Sequence, residues 1–282
     1  MKVVVTGASG FFGKRVVAEL LKRGIQTCAA SRCFIKSKNY VFLNSYYDTP
    51  SGDVLIHLAE NSNRAEVNQL GHKYIDELED MNKFLISNNY SRIIYASSVA
   101  VYGDKSKEKH NPNGPVLITD TYSKSKLNCE KLFREENAVI ARISNVYGNG
   151  MAAENIFNKI FSQLNCENIN IWNDKPIRDF IWIDDAVTAL VDMALGEKVG
   201  TYNVASGEEV SIKKLVCMIL RASNIIKKPN LLVSKPTDEY SAIMLDITNT
   251  FNSFGWLPKT TLECGIAKLF NKNKVKNKVK NK

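Results

Sequence analysis

Short apolar runs alternate with segments of helical periodicity through the first half of the chain. Runs rich in β-branched residues and bounded by turn-forming residues are typical of strands, and they cover residues 2–6, 25–31, 40–43, 53–59, 92–98 and 138–144. Apolar residues spaced three and four apart are typical of helices, and they cover residues 12–23, 74–88 and a segment around residue 122. This alternation predicts an α/β fold, a Rossmann-type doubly wound parallel sheet with helices on both faces. The link between the third and fourth strands is too short for a full crossover helix.

The pattern changes after residue 149. Residues 150–176 are polar and irregular with one helix near 155–164, strands follow at 179–183 and 200–206, and helices at 212–222 and 262–270. We expect a cofactor-binding domain of residues 1–149 plus about 178–205. A smaller, interleaved C-terminal substrate-binding lobe takes residues 150–177 plus about 206–270. The lysine-rich end, residues 271–282, is of low complexity and is predicted to be disordered.

Composition and charge exclude several classes of protein. The net charge of +9 would suit nucleic-acid binding, but six of the lysines lie in the last twelve residues. Since no compact module for reading bases is visible, no nucleic-acid partner is expected. No apolar run reaches the ~18 residues of a membrane span. The six cysteines form no C-x-x-C pair and have no neighbouring histidine, so neither a metal site nor a disulfide framework is predicted. Without a signal-peptide pattern we expect a cytoplasmic protein.

A glycine-rich segment, TGASGFFG, follows the first strand and opens the first helix. Its glycines are Gly7, Gly10 and Gly13. Glycines there let backbone N–H groups approach a pyrophosphate, and the helix N-terminus adds partial positive charge. The same glycines could serve packing alone. Their place between a strand and a helix favours a dinucleotide site.

The end of the second strand should report which dinucleotide binds. An acidic residue there favours NAD, whereas an arginine accommodates the additional phosphate of NADP. No acid stands in ASRCFIKSK, which carries Ser31, Arg32 and Lys36. A solvated basic loop is the simpler interpretation. The missing acid together with the arginine predicts NADP(H), with NAD(H) as the alternative.

A tyrosine and a lysine stand four residues apart in YSKSK, at Tyr122 and Lys126. This spacing places both side chains on one face of a helix. A free phenol titrates near pH ~10, and a neighbouring ammonium favours the phenolate. Such a phenol can exchange a proton with a substrate hydroxyl or carbonyl. The spacing alone is common by chance, and then the lysine would simply be solvated.

Six motifs in order extend the pattern over nearly the whole chain up to the tail. They are TGASGFFG, HLA at 57–59, SSVAVYG at 97–103, YSKSK at 122–126, RISNVYG at 142–148 and RDFIWIDD at 178–185. Together they resemble the extended short-chain dehydrogenases/reductases, and within them the nucleotide-sugar epimerase and 4-ketoreductase branch.

The resemblance implies roles for individual residues. Ser98 would hydrogen-bond the reacting oxygen, Tyr122 would be the general acid or base, and Lys126 would support the phenolate and hold the nicotinamide ribose. Asn145 and Arg178 would help to bind the nucleotide diphosphate of the substrate. The simpler alternatives are a turn residue for Asn145 and a surface ion pair with Asp179 for Arg178. The implied cofactor-binding residues are Gly7, Gly10, Phe11, Phe12, Gly13, Ser31, Arg32, Leu58, Ala59, Tyr122 and Lys126.

Two departures narrow the expected reaction. The 4,6-dehydratases of this branch carry an Asp-Glu pair after the catalytic serine or threonine, where this chain has Val99 and Ala100. Fucose-synthase-like reductases place a cysteine two residues after the serine, where Ala100 stands again. The resemblance therefore implies an NADP(H)-dependent oxidoreductase acting on a nucleotide-diphosphate sugar, most of all a 4-ketoreductase of polysaccharide biosynthesis. The alternatives are an NAD-dependent 4-epimerase and a non-catalytic NADP-sensing scaffold, the latter disfavoured by the intact serine, tyrosine and lysine.

Members of this family commonly pair through two helices, here residues 74–88 and 122–136, so the resemblance also implies a homodimer. Apolar contacts could come from Leu78, Leu85, Leu127 and Phe133, unless these side chains face the sheet instead.

Overall fold

A computed structural model describes residues 1–134, 136–225 and 229–280, with side chains up to residue 271. The strands are β1 (Lys2–Thr6), β2 (Gln26–Ser31), β3 (Tyr40–Phe42), β4 (Val54–His57), β5 (Arg92–Ser98), β6 (Ala138–Ile143), β7 (Asn145–Tyr147), β8 (Asn168–Ile171), β9 (Ile177–Arg178), β10 (Phe180–Trp182), β11 (Gly200–Val204), β12 (Val210–Ser211) and β13 (Asn230–Val233). The α-helices are α1 (Gly13–Lys22), α2 (Arg64–Leu70), α3 (His72–Ser87), α4 (Thr121–Arg134), α5 (Ile156–Phe161), α6 (Ile183–Leu195), α7 (Ile212–Ala222), α8 (Thr248–Phe254) and α9 (Leu262–Lys280).

The central sheet has seven strands in the order β11-β6-β5-β4-β1-β2-β3. Every neighbouring pair in it is parallel. The chain runs outward from β1 to β3 and then returns to β4 on the other side of β1, so the strand order reverses between β1 and β4. This topology confirms the predicted Rossmann-type doubly wound sheet. A crevice at the carboxyl ends of the strands is expected at such a reversal.

The central strands are buried on both faces, which explains their nearly continuous apolar sequence. All six residues of β6 are buried, and so are the four of β4. One apolar cluster on one side includes Val16 and Leu20 of α1. A second cluster on the other side includes Leu78 and Leu85 of α3 together with Phe133 of α4. Leu78, Leu85 and Phe133 therefore face inward, and so does Leu127, which lies in a third cluster.

Three helices, α2, α6 and α8, were not predicted from the sequence. Helix α6 is apolar on almost all sides, and nine of its residues are buried. Its exposed and half-buried polar residues, Asp184, Thr188 and Asp192, lie four apart on one narrow stripe, which is a weaker signal than a full polar face. Helix α2 is only seven residues long. It ends at Gly71, whose φ of 66° breaks the chain between α2 and α3.

The link between β3 and β4 contains only a short 3₁₀ helix, Tyr46–Asp48, closed by a capping box between Ser45 and Asp48. No α-helix crosses there, as the length of the link predicts. Three two-stranded sheets, β10-β7, β12-β9 and β13-β8, lie outside the central sheet.

The end of the chain differs from the expectation of disorder from residue 271. Helix α9 continues to Lys280, and residues 281–282 lie outside the described residues. No glycine or proline interrupts its lysine and asparagine residues, so nothing in the local sequence ends the helix that Leu262, Ile266 and Leu269 anchor in the core. Among the described helices, none is both long and apolar enough to cross a membrane.

Candidate active site

A cavity of about 760 Å³ opens at the carboxyl ends of β1, β4 and β5, where the strand order reverses. It brings together most of the site residues predicted from the sequence: Gly7, Gly10, Phe11, Phe12, Gly13, Leu58, Ser98, Tyr122, Lys126, Asn145 and Arg178. Ser31, Arg32 and Ala59 are not among the residues that line it. The cavity is therefore the place where a cofactor and a substrate could meet.

The glycine-rich turn lies at one end of the cavity and fits a dinucleotide. Gly7 has a φ of 66°, and a Cβ on it would stand 2.7 Å from the carbonyl oxygen of Leu58. A Cβ on Gly13 would come within 2.2 Å of the Gly7 oxygen, so α1 can pack on the turn only because residue 13 is glycine. The N-terminus of α1 has no side-chain cap. Its first N–H groups thus have no side-chain acceptor and are suited to bind a pyrophosphate.

The end of β2 carries the residues predicted to distinguish the two dinucleotides. Ser31 is buried, and its hydroxyl accepts a hydrogen bond of 2.9 Å from the N–H of Cys33, so this side chain stabilises the local turn. Arg32 is exposed, with its guanidinium carbon 5.1 Å from the ring centroid of Tyr46. A cation over an aromatic face is stabilised by the ring quadrupole. The Arg32 side chain therefore lies outside the cavity, and its contact with the Tyr46 ring orients it.

Helix α4 positions Tyr122, and it begins where it does because Asp120 caps it. The Oδ1 atom of Asp120 accepts the N–H of Ser123 at 2.9 Å. Burial disfavours the carboxylate, but hydrogen bonds from Ser123, Asn68 and Arg64 outweigh this effect and lower the pKa of Asp120 to about 2. The side chain of Asn68 in α2 also accepts the N–H of Tyr122 at 3.0 Å. Helix α2, which was not predicted from the sequence, thus holds the first turn of α4.

Lys126 lies one helical turn beyond Tyr122 and is buried. Its Nζ donates to the Ala96 carbonyl oxygen at 2.8 Å and to Oε2 of Glu60 at 2.6 Å. Burial disfavours both charges, but each stabilises the other. The pKa of Glu60 is lowered to about 2, and the pKa of Lys126 is raised above its ordinary value. The lysine is therefore an ammonium paired with a carboxylate, and not the solvated side chain of the simpler interpretation.

Glu60 is the main site residue that sequence reasoning missed. Its side chain is only 4% exposed, and it lines the cavity directly after the HLA segment at the end of β4. Its other neighbours are Tyr95, whose hydroxyl donates at 3.1 Å, Asn82, whose side-chain amide donates at 3.4 Å, and His57, whose Nε2 is 3.6 Å away. An acidic residue at the carboxyl end of a buried parallel strand was the signal that could have found it.

Ser98 lies at the end of β5, on the wall of the cavity. Its hydroxyl accepts the N–H of Ala100 at 3.2 Å, which starts a short 3₁₀ helix. Val99 and Ala100 follow it, and both line the cavity. The turn after the serine therefore presents methyl groups where a dehydratase of this branch would carry an acid.

Asn145 and Arg178 line the cavity from the segments after the central sheet. The side-chain amide of Asn145 donates to the Asp179 carbonyl oxygen at 2.8 Å. The guanidinium of Arg178 donates to the Ser241 hydroxyl at 2.9 Å and pairs with Asp104 at 3.4 Å. The proposed surface ion pair between Arg178 and Asp179 is thus wrong. Asp179 is buried and accepts hydrogen bonds from residues 144, 206 and 207 instead.

The chain belongs to the NAD dependent epimerase/dehydratase family, whose family model matches residues 3–205. It is thus an enzyme of the extended short-chain dehydrogenase/reductase type, in agreement with the resemblance seen in its motifs.

Alignments with several relatives cover nearly the whole chain at modest sequence identity. The dTDP-4-dehydro-6-deoxyglucose reductase of Escherichia coli is 27% identical over 307 residues, which cover 95% of this chain and 96% of that protein. A putative UDP-glucose 4-epimerase of Methanocaldococcus jannaschii is 28% identical over 308 residues, covering 95% and 97%. The chain spans 66% of the length of another relative, UDP-glucuronic acid decarboxylase 2 of Arabidopsis thaliana, at 25% identity over 94% of this chain.

The fold also matches solved structures closely. The structure of MoeE5 in complex with UDP-glucuronic acid and NAD superposes with a TM-score of 0.85 at 21% identity, covering 98% of this chain and all of that one. At this identity the match shows the shared fold alone.

Proposed function

We propose that this protein is an NADP(H)-dependent 4-ketoreductase acting on a nucleotide-diphosphate sugar. The observation that carries the proposal is the single cavity that joins the glycine-rich turn, Ser98, Tyr122 and Lys126 with Asn145 and Arg178. A dinucleotide site and a proton donor that line one crevice suit a reaction in which hydride and proton reach one carbonyl group.

The residues that line the cavity would have different roles in the reaction. Gly7, Gly10 and Gly13, with the N-terminus of α1, would bind the pyrophosphate, and Lys126 would hold the ribose. The bound cofactor would supply the hydride. Ser98 would hydrogen-bond the C4 oxygen of the sugar, and Tyr122 would donate a proton to that oxygen.

The nucleotide diphosphate would lie at the other wall of the cavity. Arg178 offers a guanidinium held by Ser241 and Asp104, and planar guanidinium groups match phosphate oxygens well. Asn145 presents a side chain fixed by the backbone of Asp179. The smaller lobe, residues 150–177 and about 206–270, would enclose the sugar, because Met151, Glu154 and Asn155 line the same cavity.

The turn after Ser98 supports reduction over dehydration. A dehydratase needs an acid and a base to remove a hydroxyl and a proton from neighbouring carbons. Val99 and Ala100 provide neither. The relative from E. coli, a 4-keto-sugar reductase by name, agrees with this choice.

The test is a reduction assay on the purified full-length chain. A 4-keto nucleotide-diphosphate sugar, offered with thymidine and with uridine as the nucleotide, should oxidise NADPH and give a product two mass units heavier than the substrate. Tyr122→Phe serves as the inactive control. Absence of NADPH oxidation with every such substrate would overturn the proposal.

A 4-epimerase is the second candidate, because the M. jannaschii relative carries that name. An epimerase oxidises and re-reduces the same carbon and therefore has to retain its cofactor. Denaturing the purified protein would then release NAD in a one-to-one ratio to the chain, detected by mass spectrometry. The enzyme would also convert UDP-glucose without added cofactor.

A further inference from the structure

We propose that Glu60 is a positioning residue of this active site, which holds the Lys126 ammonium in place and reduces the positive charge that acts on the Tyr122 phenol. The inference deepens the proposed function and rests on it for the role of Tyr122. The carboxylate is not part of the Tyr-x-x-x-Lys pattern, and it reaches the lysine from a different strand.

The geometry leaves little freedom to Lys126. A lysine ammonium has three N–H donors, and two of them point to Glu60 Oε2 and to the Ala96 carbonyl. The third remains for a ribose hydroxyl. The side chains of Lys126 and Glu60 are only 8% and 4% exposed, so water does not compete effectively for these bonds.

Among the residues that the structure describes, Glu60 is the carboxylate that contacts Lys126, and the other side chains facing the pair are a histidine, tyrosines and a cysteine. On β4 and β5 the pair faces His57 and Tyr95, and on α3 it faces Tyr74, whose pKa burial raises to about 12. On α4 it faces Tyr122 and Cys129, and burial keeps the Cys129 thiol protonated by raising its pKa. Glu60 is thus the carboxylate that neutralises Lys126.

This neutralisation has a consequence for the phenol. An ammonium beside a phenol favours the phenolate, and a carboxylate at the same place disfavours it. Removing the carboxylate charge should therefore change the pH dependence of Tyr122 and Lys126, which titrate as a coupled pair.

The decisive experiment titrates Tyr122 without any substrate. The full-length protein is labelled with ¹³Cζ-tyrosine, and the Tyr122 signal is assigned by its loss in Tyr122→Phe. Glu60→Gln keeps the size of the side chain and removes its charge. We expect the pH dependence of the Tyr122 signal in Glu60→Gln to differ from that of the wild type, because the charge next to the Tyr122–Lys126 pair has changed. An unchanged titration in folded Glu60→Gln overturns the proposal.

A matched control separates this effect from the loss of any buried ion pair. Glu130 lies on the same helix as Lys126, is fully buried, and pairs with Arg142 at 2.6 Å. Both Glu60→Gln and Glu130→Gln remove a buried ion pair and should lower the thermal midpoint of unfolding. Glu130→Gln should nevertheless leave the Tyr122 titration the same as in the wild type. If Glu130→Gln moves the titration as much as Glu60→Gln does, the special role of Glu60 is wrong.

Glu60→Asp covers the case in which Glu60→Gln does not fold. It keeps the charge but shortens the reach to Lys126. We expect an unchanged onset of the Tyr122 titration together with weaker NADPH binding, measured by fluorescence titration. Wild-type NADPH affinity in Glu60→Asp would show that Glu60 does not position Lys126.

The two proposals fail in different ways. If the protein reduces no keto-sugar but the titration moves as expected, the proposed function is wrong and the coupling of Glu60 to Tyr122 stands. If reduction proceeds and the pH–rate profile of Glu60→Gln matches the wild type, the role of Glu60 is wrong and the proposed function stands.

Discussion

At the scale of single residues, the first turn of α4 brings one phenol into the cavity. Tyr122 is 9% exposed and lies one turn before an ammonium that is fixed from two sides. The pattern YSKSK predicted this neighbourhood because residues four apart share a helical face. It did not predict Glu60, since the use of that residue depends on Lys126, which lies 66 positions further along the chain.

The substitution Tyr122→Phe tests the proton donor. The ring fills nearly the same space, so the fold and NADPH affinity should survive, whereas turnover should fall by roughly 10²–10⁴-fold because a general acid is lost. Steady-state kinetics with a 4-keto nucleotide-sugar measures this, with circular dichroism as the check on folding. Wild-type turnover in a folded Tyr122→Phe protein would contradict the assignment.

The substitution Arg32→Ala tests the choice of cofactor. Arg32 stands after β2 with no acid near it in sequence, so its guanidinium should bind the 2′-phosphate of NADP(H). NADPH affinity should fall by about tenfold or more, as expected when a charge-assisted hydrogen bond of at least ~1.5 kcal/mol is lost, while NADH affinity stays the same. Lys38→Ala, another exposed cation of this loop, is the matched control. Tighter binding of NADH than of NADPH by the wild type would reverse the cofactor assignment.

At the scale of elements, the strands of the central sheet could be predicted more reliably than the helices. Residues 92–98 were predicted as a strand and form β5 with the same bounds, because a strand buried on both faces needs a continuous apolar run. Helix α6 was missed because only the narrow stripe of Asp184, Thr188 and Asp192 marks its polar side. Helix α2 is short, and its importance comes from Asn68 and Arg64, which hold Asp120.

The cap of α4 gives the prediction at this scale. Asp120→Ala removes the acceptor for the Ser123 N–H and should lower the free energy of unfolding by about 0.5–2 kcal/mol at pH 7. Asp120→Asn keeps an acceptor and should lose less. Because the folded-state pKa of Asp120 lies below its unfolded value, its charge contributes stability above about pH 4 that is lost as the pH falls towards 2.

Urea unfolding at pH 7 and at pH 3 measures both effects. The stability of the wild type should fall more steeply between these pH values than that of Asp120→Asn. Equal slopes for the two proteins would show that the Asp120 carboxylate is not stabilised by its partners in the folded state.

At the scale of the whole molecule, assembly is the open prediction. Leu78, Leu85, Leu127 and Phe133 cannot form the predicted apolar contact between subunits, because they are buried within the chain. The outward side of α3 is instead charged, with exposed Asp76, Glu77 and Asp80, and α4 ends in Lys131 and Arg134. We still propose a homodimer through these two helices, now with polar contacts between them.

Light scattering at micromolar concentration should give twice the chain mass of 31.6 kDa in dilute buffer. Charged contacts are screened by salt, so the dimer should weaken in 1 M sodium chloride. Lys131→Glu should weaken it as well, with exposed Lys14→Glu on α1 as the control. A monomeric mass in dilute buffer would contradict the proposal.

The anchoring of Arg178 has a consequence for how the protein reaches its active form. Ser241 bonds Asp104 across 137 positions of the chain and Arg178 across 63. Contacts so distant in sequence form late, because long loops have to close before such contacts add any stability. During refolding, helical content should thus return before the substrate wall of the cavity is complete. Sugar binding should therefore return later than helical content when the unfolded chain is diluted out of urea.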